Sequence, residues 1–251
     1  MAINKKENYS IIAPFYDRLM NSEKYKQWQE MIKELVEKYS IPKNKALEIG
    51  CGTGRISKIL SDLGFKVSGI DISSSMLEVA RGRYPEIDFI KQDVLDLSFS
   101  RQFDFAVSLY DSLNYLLEYK DLKKALNNIA SSIKKNGIFF FDIVTKDHVV
   151  NRQKAKEEVY NIDGKQVTFS FSGKGDILET EIGIAEDKEI HEQRGYNKEE
   201  IKEKVIGPGF DILDIKEEKR KNNIGEEYMD RLFFVLKRGT IEHNGEKNEA
   251  R

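Results

Sequence analysis

Apolar residues recur along this chain in two rhythms. Trp28, Met31, Ile32, Leu35, Val36 and Tyr39 return at steps of three and four, which predicts an amphipathic helix over 23–39, ended by Ile41-Pro42. Leu122, Ala125, Leu126, Ile129, Ala130 and Ile133 predict another, roughly 119–135, stopped at Asn136-Gly137. Between and after these lie short strand-like runs: 45–49, 65–70, 87–91, 103–109 and 138–143. The near-continuous apolarity of 103–109 is what a strand buried on both faces requires, and the five together read as a parallel sheet. Ile56, Ile59 and Leu60 predict a helix after the first strand. Ser73-Ser74-Ser75 offers an N-cap for one over 74–83.

The rhythm changes after the fifth strand. From Glu157 to about Glu189, alternating segments are broken by Asp163-Gly164 and by Ser172-Gly173-Lys174-Gly175, as in hairpins. A small antiparallel insertion of three or four strands is expected over 151–189. A sheet with one apolar face needs cover, either from the main domain or from a second subunit in a homodimer. Residues 190–237 then return to the main domain, with a helix over 197–206, a turn at Pro208-Gly209-Phe210 and a terminal hairpin ending at 227–236. The expected fold is α/β, Rossmann-like and doubly wound, with seven mostly parallel strands. Residues 1–40 are expected to be helical and 238–251 to be a disordered polar tail.

The chemistry centres on Glu48-Ile49-Gly50-Cys51-Gly52-Thr53-Gly54, where a strand runs through three alternating glycines into a helix. Such a turn lets a ligand lie against the backbone. A dinucleotide site would carry the spacing G-x-G-x-x-G. Here the spacing is G-x-G-x-G, and Glu48 would repel a pyrophosphate but suit a positively charged ligand. Asp71, 21 residues after Gly50, ends the second strand, where an acid can bind ribose hydroxyls.

These segments resemble the first and second motifs of class I S-adenosylmethionine (SAM)-dependent methyltransferases, and Gln92-Asp93-Val94 resembles the third. The resemblance implies SAM as cofactor and S-adenosylhomocysteine as product. It implies that Glu48, Gly50, Cys51, Gly52, Gly54 and Asp71 hold the donor. Ile72 and Met76 would flank the adenine, Asp93 and Val94 would meet its edge, and Leu109, closing the fourth strand, joins the same set. Cys51 reads as a small residue fitting the turn rather than a nucleophile. For residues 9–20, packing on the domain edge stands beside a second possibility drawn from the family, an N-terminal lid carrying Tyr16.

By the rule that ligands sit at the carboxyl ends of strands, the Tyr110–Tyr115 turn faces the transferable methyl. Asp111 there, Asp142 in the fifth strand and Tyr16 are the candidate catalytic residues. No Asn-Pro-Pro-Tyr or Asp-Pro-Pro-Tyr follows the fourth strand, and the form resembles small-molecule methyltransferases that act on glycine or amino sugars. The three histidines, His148, His191 and His243, show no clear pairing with an acid along the sequence. A hydroxyl acceptor usually needs a stronger base than an amine does, so this favours an amine. His191 and Arg194 could point at substrate, or stand solvated in a charged run.

A formal charge of −2 over 251 residues gives no sign of a nucleic-acid partner. No apolar run approaches the roughly 18 residues that cross a bilayer, and residues 1–8 lack a signal-peptide core, so a cytoplasmic protein is expected. One cysteine excludes an internal disulfide and a cysteine-rich metal site. The reading is therefore methyl transfer to a small molecule, most simply at an amine nitrogen. O-methylation, a non-catalytic SAM-binding protein and a nicotinamide-dependent oxidoreductase are its rivals.

Overall fold

The computed structural model describes residues 8–20, 22–155, 157–206 and 209–239. Five strands follow in order: β1 (Lys45–Ile49), β2 (Lys66–Asp71), β3 (Asp88–Lys91), β4 (Phe103–Ser108) and β5 (Ile133–Val144). The inserted strands are β6 (Glu158–Ile162), β7 (Lys165–Lys174), β8 (Ile177–Ile184) and β9 (Asp187–Arg194). The chain closes with β10 (Phe210–Lys221) and β11 (Glu227–Arg238). The main sheet has the order β10-β11-β5-β4-β1-β2-β3, parallel except that β11 runs antiparallel to both neighbours. Strand order reverses beside β1, so the carboxyl ends of β1 and β4 flank the crevice in which such sheets bind ligands.

Helices cover both faces. They are α1 (Tyr16–Leu19), α2 (Ser22–Lys38), α3 (Arg55–Asp62), α4 (Ser74–Arg83), α5 (Tyr119–Ser132), α6 (Lys146–Gln153) and α7 (Lys198–Ile206). Side-chain alternation along the strands divides the core in two. Ala46, Phe105, Phe140 and Phe233 pack with α2, α3 and α4. Leu47, Ala106, Phe141 and Phe234 pack with α5 and α7. Phe141 and Phe234 stack at 5.0 Å across β5 and β11.

The expected architecture is present, with differences at its edges. The helix read over 119–135 ends at Ser132, and β5 begins at Ile133 and runs through Asn136, whose φ is +65°. Gly137 lets β5 lie close against β4, since a Cβ there would lie 2.9 Å from the Asp104 carbonyl oxygen. α6 was not anticipated; Thr145 caps it by accepting from the His148 amide at 3.1 Å. The insertion does not stop at 189, because β9 pairs with β8 as far as Arg194. Nor does the tail begin at 238. Arg238 ends β11 and donates to the Ala130 carbonyl at 2.7 Å. Pro208, His243 and the tail beyond Gly239 lie outside the described residues.

Cover for the inserted sheet comes from this same chain. Ile162, Val167, Ile182 and Ile184 form a small core with Ile12, against which Tyr9, Ile11, Phe15 and Leu19 also pack. The N-terminal segment thus lies on the insertion's apolar face. No described helix is long and apolar enough to cross a membrane.

Candidate functional site

The turn after β1 places its three glycines at φ values of +69°, +52° and +82°. Side chains rarely adopt this left-handed region, and at Gly50 space excludes one as well: a Cβ would sit 2.6 Å from Ser112 Cβ. The amides of Gly50 and Cys51 both donate to the Ile70 carbonyl at 2.9 Å, which folds the turn onto the end of β2. There Asp71 accepts from the Gly52 amide through Oδ2 and from the Ser73 amide through Oδ1, each at 2.8 Å.

Glu48 lies beneath this turn, buried, and accepts from the Ser57 hydroxyl. Burial pushes its carboxyl up to about 8 against the opposing pull of the Ser57 hydrogen bond, and the Asp71 charge adds to the rise. Cys51 is buried beside it. Burial, with the charges of Glu48 and Asp71, holds its thiol well above the usual range, so it is no thiolate nucleophile at neutral pH.

A cavity of about 520 Å³ opens over the turn. Of the expected cofactor set, Gly54 alone does not line it. Gly54 instead leads into α3, where a Cβ would strike the Phe89 ring at 2.6 Å. Ile72 stands 55% exposed at the rim, while Met76 and Leu109 are buried in the wall. Asp93 caps a short 3-10 turn by accepting from the Leu95 amide at 2.8 Å.

The rest of the lining is polar and aromatic, and includes Tyr9, Tyr16, Tyr115, Glu118, Asp121 and Glu192. Tyr9 meets Tyr16 edge to face at 5.7 Å, and its hydroxyl lies 2.6 Å from that of Tyr115. Beyond Tyr115 stands His191, buried in β9 and paired with Glu189. A second pair joins His148 Nδ1 to Asp230 Oδ1 at 2.7 Å. The absence of histidine–acid pairs inferred from the sequence is therefore corrected: among the described residues two form, one by residues 82 positions apart and one between alternate residues on a strand face.

Asp111 and Asp142 are placed differently from expectation. Neither lines the cavity. Arg231, buried in β11, pairs with Asp142 through Nη1 and with Asp111 through Nη2, the latter at 2.8 Å. Asp142 also accepts from the Asp111 amide at 3.1 Å, and Gln193 donates to Asp111 Oδ2 at 2.6 Å. Asp111 is desolvated, yet Arg231 and Gln193 hold its carboxyl below the usual range. This cluster fastens the turn after β4, where Tyr110 and Asp111 both have positive φ. Arg194 is likewise occupied, by Asp176 and the Leu117 carbonyl.

Sequence reasoning missed Glu189, Gln193 and Arg231 and gave Tyr9 no role. The signal for Arg231 was a charged residue at the head of the buried run 232–236; β11 pairs Arg231 with Val144, which sets it diagonally across from the equally unexpected charge of Asp142.

A methyltransferase-domain family model matches residues 46–137, which span β1 through the start of β5. The putative methyltransferase YqeM of Bacillus subtilis (strain 168) is 31% identical over 221 residues, covering 81% of this chain and 87% of that protein. The chain belongs to the methyltransferase family. Its fold is shared with a SAM-dependent methyltransferase from Clostridium acetobutylicum, at 24% identity and a TM-score of 0.79, covering 93% of this chain and all of the other. The sugar N-methyltransferase KedS8 from Streptoalloteichus sp. superposes with a TM-score of 0.73 at 17% identity, covering 96% and 99%. In this methyltransferase the matched span contains the glycine turn, Asp71 and Asp93, while the inserted sheet lies outside it.

Proposed function

We propose that this methyltransferase transfers a methyl group from SAM to the nitrogen of a small-molecule amine. The observation that carries this reading is the mixed lining of one cavity. The glycine turn with Glu48, Asp71 and Asp93 suits a nucleoside joined to a cationic amino acid, and the same cavity adds the phenols of Tyr9, Tyr16 and Tyr115 and the carboxylates of Glu118, Asp121 and Glu192.

Asp71 would meet the ribose hydroxyls, Asp93 and the Val94 amide the adenine edge, and Ile72 and Met76 its faces. Glu48 and the glycine turn would face the positively charged end. When bound, SAM supplies a methyl carbon made electrophilic by its sulfonium charge. The protein's main task is then alignment, which can contribute on the order of 7–11 kcal/mol. Glu118, Asp121 and Glu192 would draw a cationic acceptor inward and repel a phosphorylated one. Tyr16 and the N-terminal segment, backed by the inserted sheet, would close the acceptor side and exclude water. The likeness to a sugar N-methyltransferase supports an amine.

The test is transfer from isotopically labelled SAM to 3-amino-3-deoxyglucose and glycine, with glucose and glycolate as matched hydroxyl acceptors. Labelled N-methyl products from the amines alone are expected. Labelling of the hydroxyl compounds instead would sink the amine reading and favour O-methylation, for which the buried His191–Glu189 pair offers a base.

A further inference from the structure

Four side chains from three separate parts of the chain form one hydrogen-bonded line that ends in the cavity. Glu189 and His191 stand two residues apart on β9, hence on one face. Tyr115 comes from the turn after β4 and Tyr9 from the N-terminal segment. His191 Nε2 is 3.1 Å from Glu189 Oε1, and Nδ1 is 2.9 Å from Tyr115 Oη, itself 2.6 Å from Tyr9 Oη. The second oxygen of Glu189 accepts from the Ile11 amide at 2.9 Å and from Ser10 Oγ at 3.3 Å, which anchors the carboxylate.

The Tyr9 amide also donates toward Nε2, at 3.4 Å, and so competes with Glu189 for that nitrogen. The shorter contact, to a carboxylate, decides where the ring proton sits. Nε2 therefore donates to Glu189, and Nδ1 is left to accept from Tyr115, whose oxygen accepts in turn from Tyr9. Both phenols line the cavity, while His191 and Glu189 are buried behind them.

We propose that this line is the proton exit for the acceptor amine, with His191 as the proton acceptor working through Tyr115 and Tyr9. The inference rests on the amine reading above. The acceptor arrives as an ammonium and gives one N–H proton to Tyr9 Oη. Tyr9 passes its own proton to Tyr115, and Tyr115 passes its own to His191 Nδ1. Glu189 stabilises the imidazolium, as the acid of a hydrolase triad does. The freed nitrogen lone pair attacks the methyl carbon, and the electron pair of the breaking C–S bond leaves with sulfur. The product is a methylated ammonium, and after its release His191 returns the proton along the same line to solvent in the vacated cavity. Burial holds both phenols well above their usual range, so they conduct a proton without resting as phenolates.

Among the described residues, the titratable groups in contact with His191 are Glu189 on its own strand, Tyr115 from the turn after β4 and Tyr9 from the N-terminal segment. The test uses the full chain, SAM, and glycine or 3-amino-3-deoxyglucose. Transfer by the wild-type protein to either amine first establishes the reading beneath. His191→Gln should then lower kcat at pH 7 by about 100-fold, with the Kd for SAM changed less than about threefold. Tyr115→Phe, which keeps the ring, should do the same and covers the case in which the histidine variant fails to fold. The deficit should shrink as pH rises above the acceptor's own ammonium pKa, where the free amine arrives ready to attack. Ring nitrogen NMR shifts in the S-adenosylhomocysteine complex should place the His191 proton on Nε2. A loss that does not vary with pH, no loss, or a ring protonated on Nδ1 would overturn the relay and leave the amine reading standing. Transfer by the wild-type protein to neither amine would overturn both.

Discussion

Thr53 Oγ1 donates a 2.8 Å hydrogen bond to Asp17 Oδ1, tying α1 directly to the glycine turn. Asp17 also pairs with Arg83 at the end of α4. The N-terminal segment is thereby latched to the donor end of the cavity, while its apolar side lies on the inserted sheet. Thr53→Val removes the latch and keeps the side-chain shape. One such hydrogen bond contributes about 0.5–1.5 kcal/mol, so SAM should dissociate about 2- to 10-fold faster. Stopped-flow release of SAM is the check, and an unchanged off-rate would show that the latch does not gate the site.

Glu48 gives a prediction about pH. Its folded pKa of about 8 stands above the unfolded value, so the stability it contributes is fully present below about 4.5 and falls as pH rises toward 8. Glu48→Gln should flatten that slope relative to wild type in thermal melts of the ligand-free protein. A cationic ligand favours the ionised carboxylate, so SAM should bind wild type more tightly as pH rises through 8. Identical slopes for the two proteins in both experiments would remove Glu48 from the account.

Gly50→Ala meets two obstacles, the left-handed backbone and Ser112. The backbone alone costs about 1–2 kcal/mol. Thermal melts should show a lowered Tm, with partial recovery when Ser112→Gly is added to relieve the crowding. No additive recovery would mean that the clash is absorbed elsewhere.

Arg231→Met strands two carboxylates, Asp142 fully buried and Asp111 largely so. Breaking a buried pair by removing one partner costs about 3–5 kcal/mol. Urea denaturation of this variant should show a loss of that size. A loss below about 1 kcal/mol would show that the cluster is hydrated and does not hold the turn after β4.

What could be read from the sequence depended on how local its cause was. The turn of Gly50, Gly52 and Gly54 was legible because strand, turn and helix signals adjoin. So was Asp71, because its place at the end of β2 follows from spacing. Asp142 misled: an acid near the end of a buried strand points equally well to a substrate or to a cation on the next strand, and only register with β11 distinguishes them. α6 was hidden because Val149 and Val150 make too little of a stripe. The line from Tyr9 to His191 joins residues 182 positions apart and had no local signature. The inserted sheet's cover was equally illegible, since nothing in residues 9–19 says that they pack on strands beyond residue 157.

The most direct measurement is calorimetric titration of the purified, ligand-free protein with SAM, S-adenosylhomocysteine and NADH, beside the Asp71→Ala variant. Micromolar binding of the first two, none of NADH, and weakened binding by a folded Asp71→Ala are predicted. Failure of the folded wild-type protein to bind SAM, or binding of NADH in its place, would contradict the assignment of the glycine turn and everything built upon it.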